Sequence, residues 1–272
     1  MPRLFATRED EWRAYLMGTH PRVQSGRRFF ALLPSGPRCK QCNLPFHGPG
    51  GFVLRHMGSA FKPWDKNPNL CRRCLGHLGR QEVSGAEVDI SFLFADVRRS
   101  SDLARQLGTM DFTRLMQRFY ATANEVFLDH GALLDKFIGD EAVGFFLPFM
   151  VGADHPRQAV QTAQDLFRAV GYGSVEGPWL PLGAGVHTGT AFVGVVSRGS
   201  TYEFTALGDT PNVAAHLAAQ AGPGEILVTE NVAATLGSDD RERRHLSLKG
   251  HPVDGLVVAL GEPLLDPGAA RT

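Results

Sequence analysis

The chain is 272 residues long, 43% apolar and 21% charged, with 28 basic and 28 acidic side chains and a formal net charge of zero. That suffices for one large domain or two smaller ones, and it excludes a chain too short or too polar to bury a core. The start, MPRLFATREDEW, is charged, and the longest apolar run, GFFLPFMVGA, is short and broken by Pro148, so neither a secretory leader nor a membrane span is expected and a cytoplasmic location is.

The charge is unevenly spread. Residues 1–80 hold 14 basic against 4 acidic side chains, leaving 14 of the 28 basic against 24 of the 28 acidic for the remainder. The basic residues are scattered and form no run of the kind that marks a nucleic-acid-binding tail, so the simpler expectation is that this part docks on its own acidic neighbour. Helical stretches are predicted over residues 12–17 and 27–33, with a break between 18 and 21. The four cysteines then occur as CKQC and CRRC, at Cys39, Cys42, Cys71 and Cys74. Each pair places two thiolates on one tight turn, and together they supply four ligands for a tetrahedral metal. The 28 intervening residues, rich in Gly and Pro, are expected to form an ordered loop or small excursion. Zinc suits this set; an iron–sulfur cluster is the alternative, and a disulfide does not suit a reducing compartment. His47, His56 and His77 lie nearby and are expected to be surface polar groups rather than ligands.

Residues 81–87 read as a polar connector between a domain over 1–80 and one over 88–272. VDISFLFADV reads as a buried strand ending at Asp96, followed by helical stretches over 101–107 and 112–128 that Gly131 stops. GALLDKFIGDEAVGFFL reads as a hairpin deep inside a sheet, turning at Gly139 and Asp140 because Gly supplies a positive φ without strain. Glu141 beside this turn is expected to point to the other face of its strand. A helix follows over 154–170, then a Gly-rich strand pair over 181–196, a strand over 200–209, and a helix over 210–221 with Thr210 as cap and Pro211 at its first position. EILVTE and the segment around LSLKG complete the strands, giving an α+β fold with helices packed on one sheet. Adjacent strands would bring Asp96 and Asp140 to one edge, where two carboxylates suit a hard divalent cation completed by substrate phosphates. His187 in GVHTG is expected to pack beside a strand.

FADV, DKFIGD, GAGVHTG and FTALGDTPNVAAHL, in this order over about residues 88–260, resemble the catalytic domain of class III adenylate and guanylate cyclases. The resemblance implies a ferredoxin-like sheet with helices, which would follow the small N-terminal helical and metal-knuckle domain read from residues 1–80. It further implies conversion of ATP to cyclic AMP and pyrophosphate in a head-to-tail homodimer, or in a heterodimer with another cyclase domain. Carried over by position, Asp96 and Asp140 bind two Mg²⁺ or Mn²⁺ ions, and Val97 adds a backbone carbonyl. Lys136 and Thr205 match the adenine-selecting pair, Asn212 the residue that orients ribose and transition state, and Lys249 the triphosphate-binding lysine. IGDEAVGFF superficially resembles the diguanylate cyclase hairpin, but Ile138 replaces its second glycine and LGDTPN belongs to the other family. Pro211, where Val is common, suits a helix start. The important departure is His216, one turn after Asn212, where the family usually has an Arg that donates to phosphate oxygens. The alternative function is therefore a catalytically degenerate domain that serves as a nucleotide-binding or metal- or redox-sensing module.

Overall fold

The computed structural model describes residues 5–34, 36–65, 67–76, 83–198, 201–237, 243–246 and 255–260. They fall into two units: Met1–Asp89 with Leu147–Ala153 and Thr190–Gly208, and Ile90–Phe146 with Asp154–Gly189 and Asp209–Thr272.

The first unit opens with α1 (Arg8–Leu16), started by a capping box in which Thr7 Oγ1 accepts from the Asp10 N–H while the Asp10 carboxylate accepts from the Thr7 N–H. Helix α2 (Pro21–Ala31) has Pro21 in its first turn, and His20 Nδ1 accepts the Arg22 N–H. Both predicted helices thus exist and start earlier than their apolar stretches suggested, because caps rather than hydrophobic spacing set their beginnings. Between the two cysteine pairs lie α3 (Gly48–Met57), a 3₁₀ turn (Ser59–Phe61) and an antiparallel ribbon of β1 (Pro63–Trp64) and β2 (Asn67–Cys71); α4 (Arg72–Gly76) carries the last cysteine. Tyr15 and Val23 of α1 and α2 form a core with Val195, against which Trp12 and Phe204 pack. Arg27 Nη2 reaches the Phe149 carbonyl at 3.0 Å.

Next in the chain come β3 (Val83–Val97), which starts inside the expected connector, α5 (Ser100–Asp129), β4 (Leu133–Ile138), β5 (Glu141–Phe146), α6 (Pro148–Val151) and α7 (His155–Ala169). They are followed by β6 (Leu182–Arg198), β7 (Thr201–Leu207), α8 (Asp209–Gln220), β8 (Ile226–Thr229), α9 (Glu230–Thr235), β9 (Arg243–Leu246) and β10 (Gly255–Leu260). Helix α5 is interrupted at Gly108, φ +75°, where the sequence leaves a gap between its two helical stretches. The sheet order is β4-β5-β3-β6-β8-β10-β9, with β7 also paired to β6. In the second unit α5 and α7 pack on β5, α8 on β8 and α9 on β10, the expected α+β arrangement. Among the described residues no helix is long and apolar enough to cross a membrane.

Three expectations are corrected. The hairpin is not deep inside the sheet: β4 is a terminal strand, and Ile138 is about half exposed. The Gly-rich stretch is one 17-residue strand, β6, rather than a strand pair. Its Gly185 is a close-approach residue, since a Cβ there would stand 2.3 Å from the Ala214 carbonyl oxygen of α8. Helix α8 begins at Asp209, so Thr210 and Pro211 lie within its first turn rather than at the cap and the first position.

Candidate active site

Strands β3 and β5 are antiparallel, with Asp96 directly opposite Glu141, and the Val97 N–H donates to the Asp140 carbonyl at 3.2 Å. This register brings Asp96, Val97 and Asp140 to one edge. Gly139 takes φ +61°, and Tyr120 of α5 donates its hydroxyl to the Gly139 carbonyl while its ring packs on Phe137 at 4.4 Å. The turn that carries Asp140 is therefore held from its own helix as well as by the strands.

Glu141 does not point away from this edge. Residues directly opposite in an antiparallel pair share a face, so Glu141 stands beside Asp96. Burial pushes its carboxyl above the usual range, and Asp140 pushes it further. The alternation argument failed because Asp140 lies in the turn, where the two-residue period does not apply. Arg98 also belongs to the cluster. Its guanidinium pairs with Asp96, and Nη1 donates to the carbonyls of Ala219 at 3.0 Å and Ala221 at 3.2 Å at the end of α8. Burial pulls Arg98 below its ordinary value, and Asp140 and Glu141 oppose that pull. Asp96 and Asp140 offer hard oxygen donors at this edge, the donor type that suits Mg²⁺ or Mn²⁺.

Lys136 lies on β4, where Asp135 is an extra residue in the ladder: Leu134 pairs with Gly144 and Lys136 with Val143. This bulge lets the largely buried Asp135 meet the half-exposed Lys136 ammonium at 3.2 Å. Asn212 and His216 lie one turn apart on α8. Thr205 belongs to the first unit, on β7 opposite Gly194; it is 4% exposed, and its hydroxyl has no hydrogen-bond partner among the described residues. Lys249 and His77 lie outside the described residues. Sequence reasoning missed Arg98 and Tyr120 and turned Glu141 to the other face; a cation two residues after Asp96 was the readable signal for the first.

In the first unit the four cysteine sulfurs lie within 4.8 Å of one another. Cys39 and Cys74 sulfurs are 3.9 Å apart and Cys42 and Cys71 sulfurs 3.7 Å, while the Cys71 N–H donates to Cys39 Sγ at 3.3 Å. One ion bonded to four sulfurs at about 2.3 Å would set them about 3.8 Å apart. Asn43 supplies the left-handed residue, φ +62°, that closes the first knuckle, with its N–H on the Cys39 carbonyl. His47 stands at the N-cap position of α3 without a side-chain cap bond and His56 rests on Phe52; neither belongs to the group of sulfurs.

His187 sits in a polar network of the second unit. Its Nδ1 is 2.8 Å from Thr229 Oγ1, Thr229 reaches Asn231, Asn231 donates to the Thr188 carbonyl, and Thr188 and His155 both meet Ser91. Burial pushes the His187 imidazole down to about 4, against a smaller opposing effect of Asp209. Between that value and the ordinary 6.5 the unfolded chain binds more protons than the folded one, so stability falls as pH drops through this window. The expected loss from this group between pH 7 and pH 4 is up to about 3 kcal/mol, read as a lower denaturant midpoint. His187→Gln should flatten that part of the pH dependence.

The family model described as the adenylate and guanylate cyclase catalytic domain matches residues 83–258. An adenylate cyclase of Anabaena cylindrica is 28% identical over 178 residues, 63% of this chain and 35% of that protein. An adenylate cyclase of Mycobacterium tuberculosis is 28% identical over 187 residues, 67% of this chain and 42% of that protein. This chain therefore spans less than half the length of either relative. The crystal structure of the adenylyl cyclase CyaB from P. aeruginosa shares the fold, with TM-score 0.57 and 22% identity over 67% of this chain and 98% of that one. With the family model covering well over half of its length, the chain belongs to the adenylate and guanylate cyclase catalytic domain family.

Proposed function

We propose that the protein is an adenylate cyclase that converts ATP to 3′,5′-cyclic AMP and pyrophosphate in a head-to-tail homodimer. The observation that carries this reading is the carboxylate edge of Asp96, Asp140 and Glu141, tied together by the Val97–Asp140 hydrogen bond. Asp96, Asp140 and the Val97 carbonyl would hold two Mg²⁺ or Mn²⁺ ions, which when bound supply a more acidic ribose 3′-hydroxyl and neutralise phosphate charge. Lys136 would donate to adenine N1, and the Thr205 hydroxyl would accept from the adenine amino group. The orphaned state of that buried hydroxyl supports this role, because a ligand partner would relieve a cost of about 1–3 kcal/mol. Asn212 would orient the ribose, and Lys249 the triphosphate, each drawn from the protomer opposite the carboxylates.

His216 supports a second reading, a nucleotide-binding regulatory domain that has lost turnover. A neutral imidazole offers one donor where guanidinium offers a fixed, charged fork, and losing such a donor typically lowers turnover by about 100- to 1000-fold. The test is cyclic AMP formation by the wild type and His216→Arg. We expect measurable wild-type activity and a kcat about 100-fold higher in the variant. A silent wild type with an active variant would instead make the domain a degenerate cyclase.

The four-cysteine site is read as structural zinc. The sulfur separations favour one ion, because a cluster stands between its thiolates and spreads them farther apart. Colourless purified protein with one zinc per chain is expected; visible absorbance would indicate iron and sulfide.

A further inference from the structure

Asp96 is a proposed ion ligand that already has a cation beside it. The Arg98 guanidinium pairs through Nη2 with the Asp96 carboxylate, and both side chains are largely buried, 13% and 19% exposed. The guanidinium is built into the fold of the second unit rather than laid on its surface. Its Nε donates to the Asp96 carbonyl at 3.3 Å, and its Nη1 donates to the carbonyls of Ala219 at 3.0 Å and Ala221 at 3.2 Å, at the negative end of α8. Gly183 near the start of β6 leaves it room: a Cβ there would stand 3.2 Å from Arg98 Cδ and 2.8 Å from the Ala221 carbonyl oxygen. The Arg98 N–H donates to the Pro181 carbonyl at 2.8 Å, which pins the backbone as well.

A partner that only orients a metal ligand strengthens binding, and its loss weakens metal affinity by about 10- to 100-fold. Arg98 differs in two ways. The Asp96 backbone is fixed by the β3–β5 register and the Val97–Asp140 hydrogen bond, so its position does not depend on the guanidinium. The guanidinium also carries a permanent charge of the same sign as the ion, in a largely buried place where salt and water screen it little. It therefore offsets the attraction of Asp96 for any further cation. We propose that Arg98 is a resident counter-cation of Asp96, a positioning residue that keeps this carboxylate paired and makes the edge a weak site for free divalent ions. The charge of a bound triphosphate would offset the guanidinium, so the ions load with the nucleotide rather than before it. This role rests on the assignment of Asp96 and Asp140 to the ions.

The test is Mn²⁺ binding to the full chain without nucleotide, followed by the paramagnetic resonance of the free ion, with the site defined by the binding that Asp96→Asn removes. Arg98→Gln keeps a donor for the α8 carbonyls but not the charge, and it is expected to bind Mn²⁺ at least about tenfold tighter than the wild type. Arg98→Lys keeps the charge and should stay close to the wild type. Mn²⁺ should also raise the melting midpoint of Arg98→Gln more than that of the wild type. Wild-type binding that Arg98→Gln leaves unchanged or weakens would overturn the role while leaving the ion site standing. Absence of Asp96-dependent binding in the wild type and Arg98→Gln alike would remove the ion site itself, and the role with it. If Arg98→Gln does not fold by itself, recovery of its folding in Mn²⁺ supports the role, and failure to recover overturns it.

Discussion

Asp140→Ala is expected to lower cyclic nucleotide formation by about 1000-fold or more while leaving the thermal midpoint unchanged or slightly raised. The two effects separate because Asp140 contributes charge to the edge but little to packing. Its side chain stands at a hairpin turn whose geometry is set by Gly139, by the backbone bond to Val97 and by the Tyr120 hydroxyl, none of which the substitution removes. What it removes is one of the carboxylates near Arg98, so the attraction of this edge for a divalent ion falls. Glu141, held up partly by Asp140, would ionise more easily, which offsets part of any loss in stability. Initial rates at saturating ATP and Mn²⁺, with a melting curve on the same preparation, measure both effects.

On the structural-zinc reading, Cys71→Ala is expected to release the metal and unfold residues 5–76 as a unit. Cys71 is fully buried, its sulfur stands 3.7 Å from that of Cys42, and its N–H bonds the Cys39 sulfur. Four sulfurs converge there from two knuckles that are separated by a helix and a ribbon. Structural zinc in small modules supplies about 10–16 kcal/mol, at least as much as a typical domain's whole stability of about 5–15 kcal/mol. Three thiolates left in a buried cluster would also repel one another. Metal content per chain and limited proteolysis are the measurements: below about 0.1 zinc per chain and rapid cleavage before residue 83 are expected, with the second unit resistant.

Local chemistry explains what could be read without coordinates. Asp96 at a strand end, Gly139 at a positive-φ turn, the gap at Gly108, the helix over 154–170 and the four cysteines are all announced by residues within a few positions of the feature. The α+β character followed from the order of such elements. What stayed hidden depends on partners distant in sequence. The Gly-rich stretch 181–196 read as a strand pair because only the approach of α8 reveals why a continuous strand needs glycine at Gly185. The Gly- and Pro-rich run after Cys42 hid α3, whose Pro sits harmlessly in the first turn. The edge position of β4 depends on sheet order, and the bulge at Asp135 on a register with β5; neither leaves a mark on the hairpin's own sequence. Arg98 joins the carboxylates through tertiary packing against α8, and Tyr120 braces the turn from nineteen residues upstream.

The central claim is that the site selects and cyclises ATP, and the most direct measurement is cyclic nucleotide formation by the wild-type chain with ATP and with GTP in the presence of Mn²⁺. In the proposed reading Lys136 donates to adenine N1 and the Thr205 hydroxyl accepts from the adenine amino group, and such a pair of hydrogen bonds discriminates by about 1–3 kcal/mol. The account therefore predicts cyclic AMP as product and kcat/KM for ATP at least about tenfold above that for GTP. Equal or faster turnover of GTP would contradict the base assignment, and no cyclic nucleotide from either substrate, in wild type and His216→Arg alike, would contradict the catalytic reading itself.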